Sequence, residues 1–143
     1  MPFALDSSCI VALLSAWHPN SQAVSAEVNS LLETDPPLVI PAPALLEAYS
    51  VLTRMPPPYR AAPRTTLEAL RDLLSSAVIT SLKPDEYWPE LEQCAASGIC
   101  GGAVHDAIIA ACARQSGAGK LLTLNLNHFA RFAGSELSIL TPR

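Results

Sequence analysis

An α/β domain, with a parallel sheet covered by helices on both faces, is the fold class this sequence predicts. Two observations carry that expectation. Apolar runs of three to five residues, too short for helices, alternate with longer segments of helical periodicity. The longer segments also open at Asp, Asn, Ser or Pro, and several close at Gly, as helices do.

Phe3 to Leu5 reads as a short strand, and Asp6-Ser7-Ser8 caps a helix carrying Ile10, Val11, Leu13, Leu14 and Trp17. Asn20 or Ser21 starts a second helix with Val24, Val28, Leu31 and Leu32 on one face. Leu38-Val39-Ile40 is a buried strand, and Pro41 and Pro43 lead into a helix through about Arg54. The cluster Met55-Pro56-Pro57-Pro58-Tyr59-Arg60 reads as a stiff connector between helices. Pro63 sits in the first turn of the next helix, where its missing N–H costs nothing, and that helix carries Leu67, Leu70, Leu73 and Leu74.

Val78-Ile79-Thr80 is a third strand, and Pro84-Asp85-Glu86 opens a helix that Gly98 terminates. Ala103 to Gln115 is a strongly apolar helix closed by Gly117 and Gly119. Lys120 to Leu124 and Leu137 to Leu140 are the last two strands. Parallel sheets of this kind form their sites at the carboxyl ends of strands, where Asp6 and Asn125 fall.

With 143 residues the chain is expected to be one domain spanning 1–143, long enough for a single core. It is 50% hydrophobic and 15% charged, against roughly 25% charged in typical soluble domains. Either a partner or homodimer face covers part of the surface, or the numbers reflect an Ala- and Pro-rich proteome. No apolar run reaches the ~18 residues that span a bilayer, and the N-terminus lacks a basic signal-like region, so a cytoplasmic protein is expected. Cys9, Cys94, Cys100 and Cys112 form no C-x-x-C pair; Cys9 and Cys112 fall in apolar helical patterns and read as core thiols. A net charge of −4 is a poor bulk match for nucleic acid, although a cation in an acidic site reverses the local charge.

Four polar residues interrupt this apolar frame. Asp6 ends Pro2-Phe3-Ala4-Leu5, Glu47 follows Ala44-Leu45-Leu46, Asp106 precedes Ala107-Ile108-Ile109-Ala110-Ala111, and Asn125 closes Leu121-Leu122-Thr123-Leu124. Each also has an ordinary reading. Asp6 is a favoured helix cap, Glu47 a solvated helix residue and Asn125 a turn residue. Asp106 is harder to dismiss, since Asp is a mediocre helix former at the edge of a face expected to be buried. The adjoining Gly101-Gly102 is expected to let backbone approach closely there. Like charges placed together are costly unless a cation compensates them, so three carboxylates from distant segments suggest a shared cation site. Ser8 is a candidate hydrogen-bond partner of a water or phosphate oxygen, and Thr123, on the same pleat face as Asn125 at period two, suits the same task. The histidines show no H-x-x-x-H spacing, and neither a G-x-S-x-G elbow nor a phosphate-binding P-loop occurs.

The ordered set Leu5-Asp6-Ser7-Ser8, Leu46-Glu47-Ala48-Tyr49-Ser50-Val51-Leu52-Thr53-Arg54, Val104-His105-Asp106-Ala107-Ile108-Ile109-Ala110-Ala111 and Leu122-Thr123-Leu124-Asn125-Leu126-Asn127-His128-Phe129 resembles the PIN-domain ribonucleases. Among these it is most like the VapC-type toxins of bacterial toxin–antitoxin pairs. The resemblance spans essentially the whole chain. It implies a three-layer α/β/α sandwich with a short parallel sheet, a homodimer, and an acidic site binding magnesium or manganese. By position, Asp6, Glu47 and Asp106 match the family's acidic residues, and Thr123 and Asn125 match its T-x-[DN] element, with Asn in the fourth place. It implies single-stranded or loop RNA as substrate; Arg54, Arg60, Arg64 and Arg131 are candidate phosphate contacts, with Arg54 alternatively pairing with a carboxylate of the empty site. It also implies a VapB-like antitoxin as partner.

Two rival classes are weighed against it. A haloacid-dehalogenase-like phosphatase also begins with Asp at the end of its first strand, but needs a second Asp where this chain has Ser8. A non-catalytic partner-binding module with the same fold would lack metal-dependent activity.

Overall fold

The computed structural model describes residues 1–143. Five parallel strands form one sheet in the order β3-β2-β1-β4-β5. They are β1 (Phe3–Leu5), β2 (Leu38–Pro41), β3 (Val78–Thr80), β4 (Lys120–Leu122) and β5 (Ser138–Leu140). The helices are α1 (Ser7–Leu14), α2 (Ser21–Thr34), α3 (Ala42–Arg54), α4 (Pro63–Leu73), α5 (Tyr87–Ala96), α6 (Ala103–Gln115) and α7 (Leu126–Phe129).

The chain steps from β1 to β2 to β3 in one direction, then returns across the sheet to β4 and β5. Right-handed crossovers therefore put α1 to α4 on one face and α5 to α7 on the other. This is the expected α/β/α sandwich. The order reverses between β1 and β4, whose registered pairs include Leu5 with Leu122. A crevice opens at such a reversal, beyond the carboxyl ends of the strands.

Burial follows position in the sheet. Phe3, Ala4 and Leu5 on the central strand are fully buried, as are Leu121 and Leu122 beside them. At the β3 edge, Val78 and Ile79 are about half exposed. Helix α6 is buried from Ala107 through Ala113, consistent with a run that is apolar on every side. Ile109 is fully enclosed, so Ile109→Ala is expected to lower stability by about 2–5 kcal/mol, read as an earlier denaturant midpoint at unchanged slope. A midpoint equal to that of the parent protein would contradict the packing described. Cys9 and Cys112 are the buried thiols expected of them.

Several sequence expectations are corrected. Helix α1 stops at Leu14, because Ser15 turns to extended backbone, and Trp17 lies beyond it and exposed. Leu32 faces out, leaving Val24, Val28 and Leu31 as the buried stripe of α2. Pro84–Glu86 is a separate 3₁₀ turn before α5. Strand β4 ends at Leu122, so Thr123 and Asn125 do not share a pleat. At Gly101 and Gly102 a Cβ would meet nothing, so no close backbone approach requires them; Gly101 is instead needed for its positive φ of 62°.

Candidate active site

Asp6 sits where β1 ends and α1 begins, and it performs both tasks the sequence allowed. Its Oδ1 accepts the backbone N–H of Cys9 at 3.0 Å, which caps the helix, and the hydroxyl of Ser8 at 2.6 Å. Its Oδ2 accepts the hydroxyl of Thr123 at 2.5 Å. Those hydroxyls are themselves oriented: Ser8 Oγ accepts from Leu124 N and Thr123 Oγ1 from Asn125 N, both at 2.9 Å. This lattice ties the ends of β1 and β4 together, and it explains why β4 stops early. The Thr123 N–H still donates to the Leu140 carbonyl of β5 at 2.9 Å, but the next N–H, of Leu124, turns to Ser8 and the Thr123 hydroxyl to Asp6.

Asp6 is 1% exposed and has no cationic partner among its hydrogen bonds. Burial pushes its carboxyl pKa up, and the hydrogen bonds from Ser8, Thr123 and Cys9 only partly offset this. Desolvation also raises the neighbouring Cys9 thiol, and the Asp6 charge adds to the effect, so that thiol is inert.

The other two carboxylates arrive from opposite layers. Glu47 lies in the second turn of α3 and Asp106 in the first turn of α6. Together with Asp6 they line one cleft of about 380 Å³, completed by Ser7, Gly102, Asn125, His128 and Arg131 among others. Burial raises the Asp106 carboxyl, and the negative charge of Glu47 raises it further; His128 works against this, Asp6 with it. Open space above Gly102 leaves the Asp106 side of the cleft accessible.

The predicted set thus converges in part. Asp6, Glu47, Asp106 and Asn125 border the cleft, while Ser8 and Thr123 support it from behind. Arg54 and Arg60 do not border it. Arg54 Nη1 donates to Ser50 Oγ and Arg60 Nε to the Met55 carbonyl, each at 2.8 Å, near the C-terminal end of α3. Arg64 is exposed at the start of α4, and Arg131 is the arginine on the cleft. Sequence reading undervalued His128, which α7 brings to the wall. The signal was there in Asn125, a residue type that often precedes a helix, ahead of Leu126-Asn127-His128-Phe129.

No three His, Cys, Asp or Glu side chains form a ready-made metal cage. The cleft nonetheless suits a hard cation. Its acidic donors are all oxygens, and the proton affinity of Asp106 is raised by burial first and by the Glu47 charge next, both of which a bound cation would relieve. Magnesium keeps several waters and needs only one or two carboxylates besides substrate phosphate, so a loose acidic ring is enough.

The PIN domain profile matches residues 3–135. The chain belongs to the PIN-domain family. Over 123 residues, 86% of each chain, this PIN domain is 36% identical to ribonuclease VapC40 of Mycobacterium tuberculosis. It is 32% identical to ribonuclease VapC27 of the same species over 114 residues, 80% of this chain and 78% of that one. Its fold is shared with VapBC2 of Rickettsia felis, solved bound to a DNA fragment from its promoter. There the TM-score is 0.72 at 19% identity, with each chain covered in full. It is shared also with VapC20 of M. tuberculosis, a toxin that cleaves the sarcin–ricin loop, at a TM-score of 0.69 and 18% identity over 90% of this chain and 94% of that one.

Proposed function

We propose that this PIN domain is a magnesium- or manganese-dependent endoribonuclease, the toxin of a toxin–antitoxin pair. The observation that carries the reading is the convergence of Asp6, Glu47 and Asp106, from β1, α3 and α6, on one cleft. Its likeness to ribonucleases of the VapC type over most of the chain supports the choice of substrate.

Asp6, Glu47 and Asp106 would hold the cation. When bound, it would lower the pKa of a water and offset charge on the leaving oxygen. The protein's own share is positioning and proton transfer. Ser8 and the Cys9 N–H occupy Oδ1 of Asp6 and Thr123 one side of Oδ2, which leaves one Oδ2 lone pair for the cation. Glu47 or Asp106, whichever carboxylate oxygen is left off the cation, would take the proton of the attacking water. Asn125, whose side chain makes no cap hydrogen bond, is free to orient water or a phosphate oxygen. Arg131 contributes positive charge on the same wall, and Arg54 and Arg60 lie further out as contacts to the flanking strand.

No helix is long and apolar enough to cross a membrane, and the cytoplasm is where such a toxin would meet RNA. An apolar groove between α3 and α4, lined by Leu45, Leu46, Tyr49, Leu67 and Ile79, supports a covering protein. A VapB-like antitoxin or the second copy of a homodimer is the expected occupant. The VapBC assemblies among the structural neighbours support the former.

The test is total RNA incubated with purified, partner-free protein. Discrete fragments with magnesium or manganese, absent with EDTA and restored on adding metal back, are the expected result. Intact RNA under every condition, from folded protein, would favour the non-catalytic binding module instead.

A further inference from the structure

Beside the acidic cleft lies a second cavity of about 470 Å³, and the two share Ser7, Glu47 and Asn125 as a common wall. Its far side is built by Trp17, His18, Pro19, Asn20 and Met55, which belong to the connections after α1 and α3. Trp17 remains 41% exposed. A ring this open is not held in place by the core.

Instead the indole is braced. The Tyr59 ring packs on it with centroids 4.5 Å apart and planes tilted by 37°, and His18 flanks it at 5.6 Å. Tyr59 does not border the cavity, so it backs the ring from outside while Trp17 faces in. The Nδ1 of His18 accepts the Asn20 N–H at 3.1 Å, leaving the ring proton of the neutral imidazole on Nε2 as a donor. Arg60 is pinned through Nε to the carbonyl of Met55, a cavity residue, which holds its positive charge at the rim.

We propose that this cavity seats an unpaired RNA base, stacked on Trp17, next to the phosphodiester cut in the acidic cleft, with Arg60 contacting a phosphate of the same strand. The proposal rests on the ribonuclease reading above. The volume is in the range of small-ligand pockets, and aromatic faces plus a flanking arginine are how proteins hold single strands. Val11, Val51 and Leu124 give the floor an apolar surface that suits the face of a base as well as a protein side chain; the shared wall with the acidic cleft is what favours the base.

Trp17 and Trp88 are the chain's two tryptophans, and Trp88 is exposed on α5, away from this cavity. A Trp88→Phe protein therefore cleaves as the parent does and reports on Trp17 alone. Short single-stranded oligoadenylate and oligouridylate, added in EDTA, are expected to change its emission saturably. Trp17→Ala is expected to lose about tenfold in kcat/KM, carried by KM, and Trp17→Phe to recover most of it, with Tm as the check on folding. Unchanged emission with both oligonucleotides, or Trp17→Ala cleaving as well as the parent, overturns the base seat. So does emission that moves only when a co-purified partner protein binds. If the parent still cleaves RNA in those cases, the ribonuclease reading stands; a parent that never cleaves removes that reading too.

Discussion

Asp6→Asn is expected to abolish cleavage, by about 1,000-fold or more, in a protein that stays folded. Several kcal/mol of charge stabilisation depend on a carboxylate at this position, and each 1.36 kcal/mol is tenfold in rate. The fold does not depend on it in the same way. Asp6 is a buried carboxylate without a cation among its partners, so neutralising it relieves a desolvation cost. Against that, the amide has one acceptor oxygen where the carboxylate has two, so with Ser8 and Cys9 satisfied the Thr123 hydroxyl loses its acceptor, at about 1–3 kcal/mol. The two effects are opposed, so melting temperatures of variant and parent should lie close together in metal-free buffer at a pH above the raised pKa of Asp6. Complete unfolding of Asp6→Asn would contradict this balance.

The pH dependence of stability carries the same logic with a definite sign. The folded-state pKa of Asp6 lies above its ordinary value of 3.8. Above that raised value both states are ionised and the burial cost is present in full. As pH falls through the raised value, the folded protein takes up a proton before the unfolded chain does. The parent therefore gains stability relative to Asp6→Asn, and the gain is complete below 3.8. Saturating magnesium, which favours the carboxylate, should abolish that gain and raise the parent's Tm but not the variant's. Parallel stability curves for the two proteins would sink this account of Asp6.

The second large effect concerns Asp106 and Glu47. Asp106→Asn should also remove cleavage. On the proposed mechanism, protons and cation would compete for Asp106, whose carboxyl is raised by burial first and by the Glu47 charge next. Activity should therefore fall on acidification at a higher pH than an ordinary carboxylate would dictate. Glu47→Gln removes the second of those causes, so its acid limb should move to lower pH while its plateau drops. A limb that stays in place in Glu47→Gln would show that the two carboxylates do not share a field.

Much of this was readable in the residues, and what was not has identifiable causes. Phe3 to Leu5 and Leu38 to Ile40 are apolar on every position because parallel strands are buried on both faces, so they stood out without alternation. Asp6, Glu47 and Asp106 were conspicuous because each breaks or borders an apolar run. Trp17 misled because helical spacing says nothing of where a helix stops, and Ser15 leaves the helix before it. The inward turn of Thr123 was hidden for a different reason. It is set by a hydrogen bond to Asp6, 117 residues away, which no local pattern encodes. Convergence on one cleft is likewise a property of the strand order. It also explains why Arg131 reaches the cleft while Arg54 and Arg60 border another part of the surface.

The central claim is that three carboxylates act as one cation site, and isothermal titration of manganese into the metal-free protein tests it most directly. The account predicts saturable binding by the parent that is lost or severely weakened in Asp6→Asn, Asp106→Asn and Glu47→Gln alike. Parent-like affinity in Asp6→Asn or Asp106→Asn would contradict it.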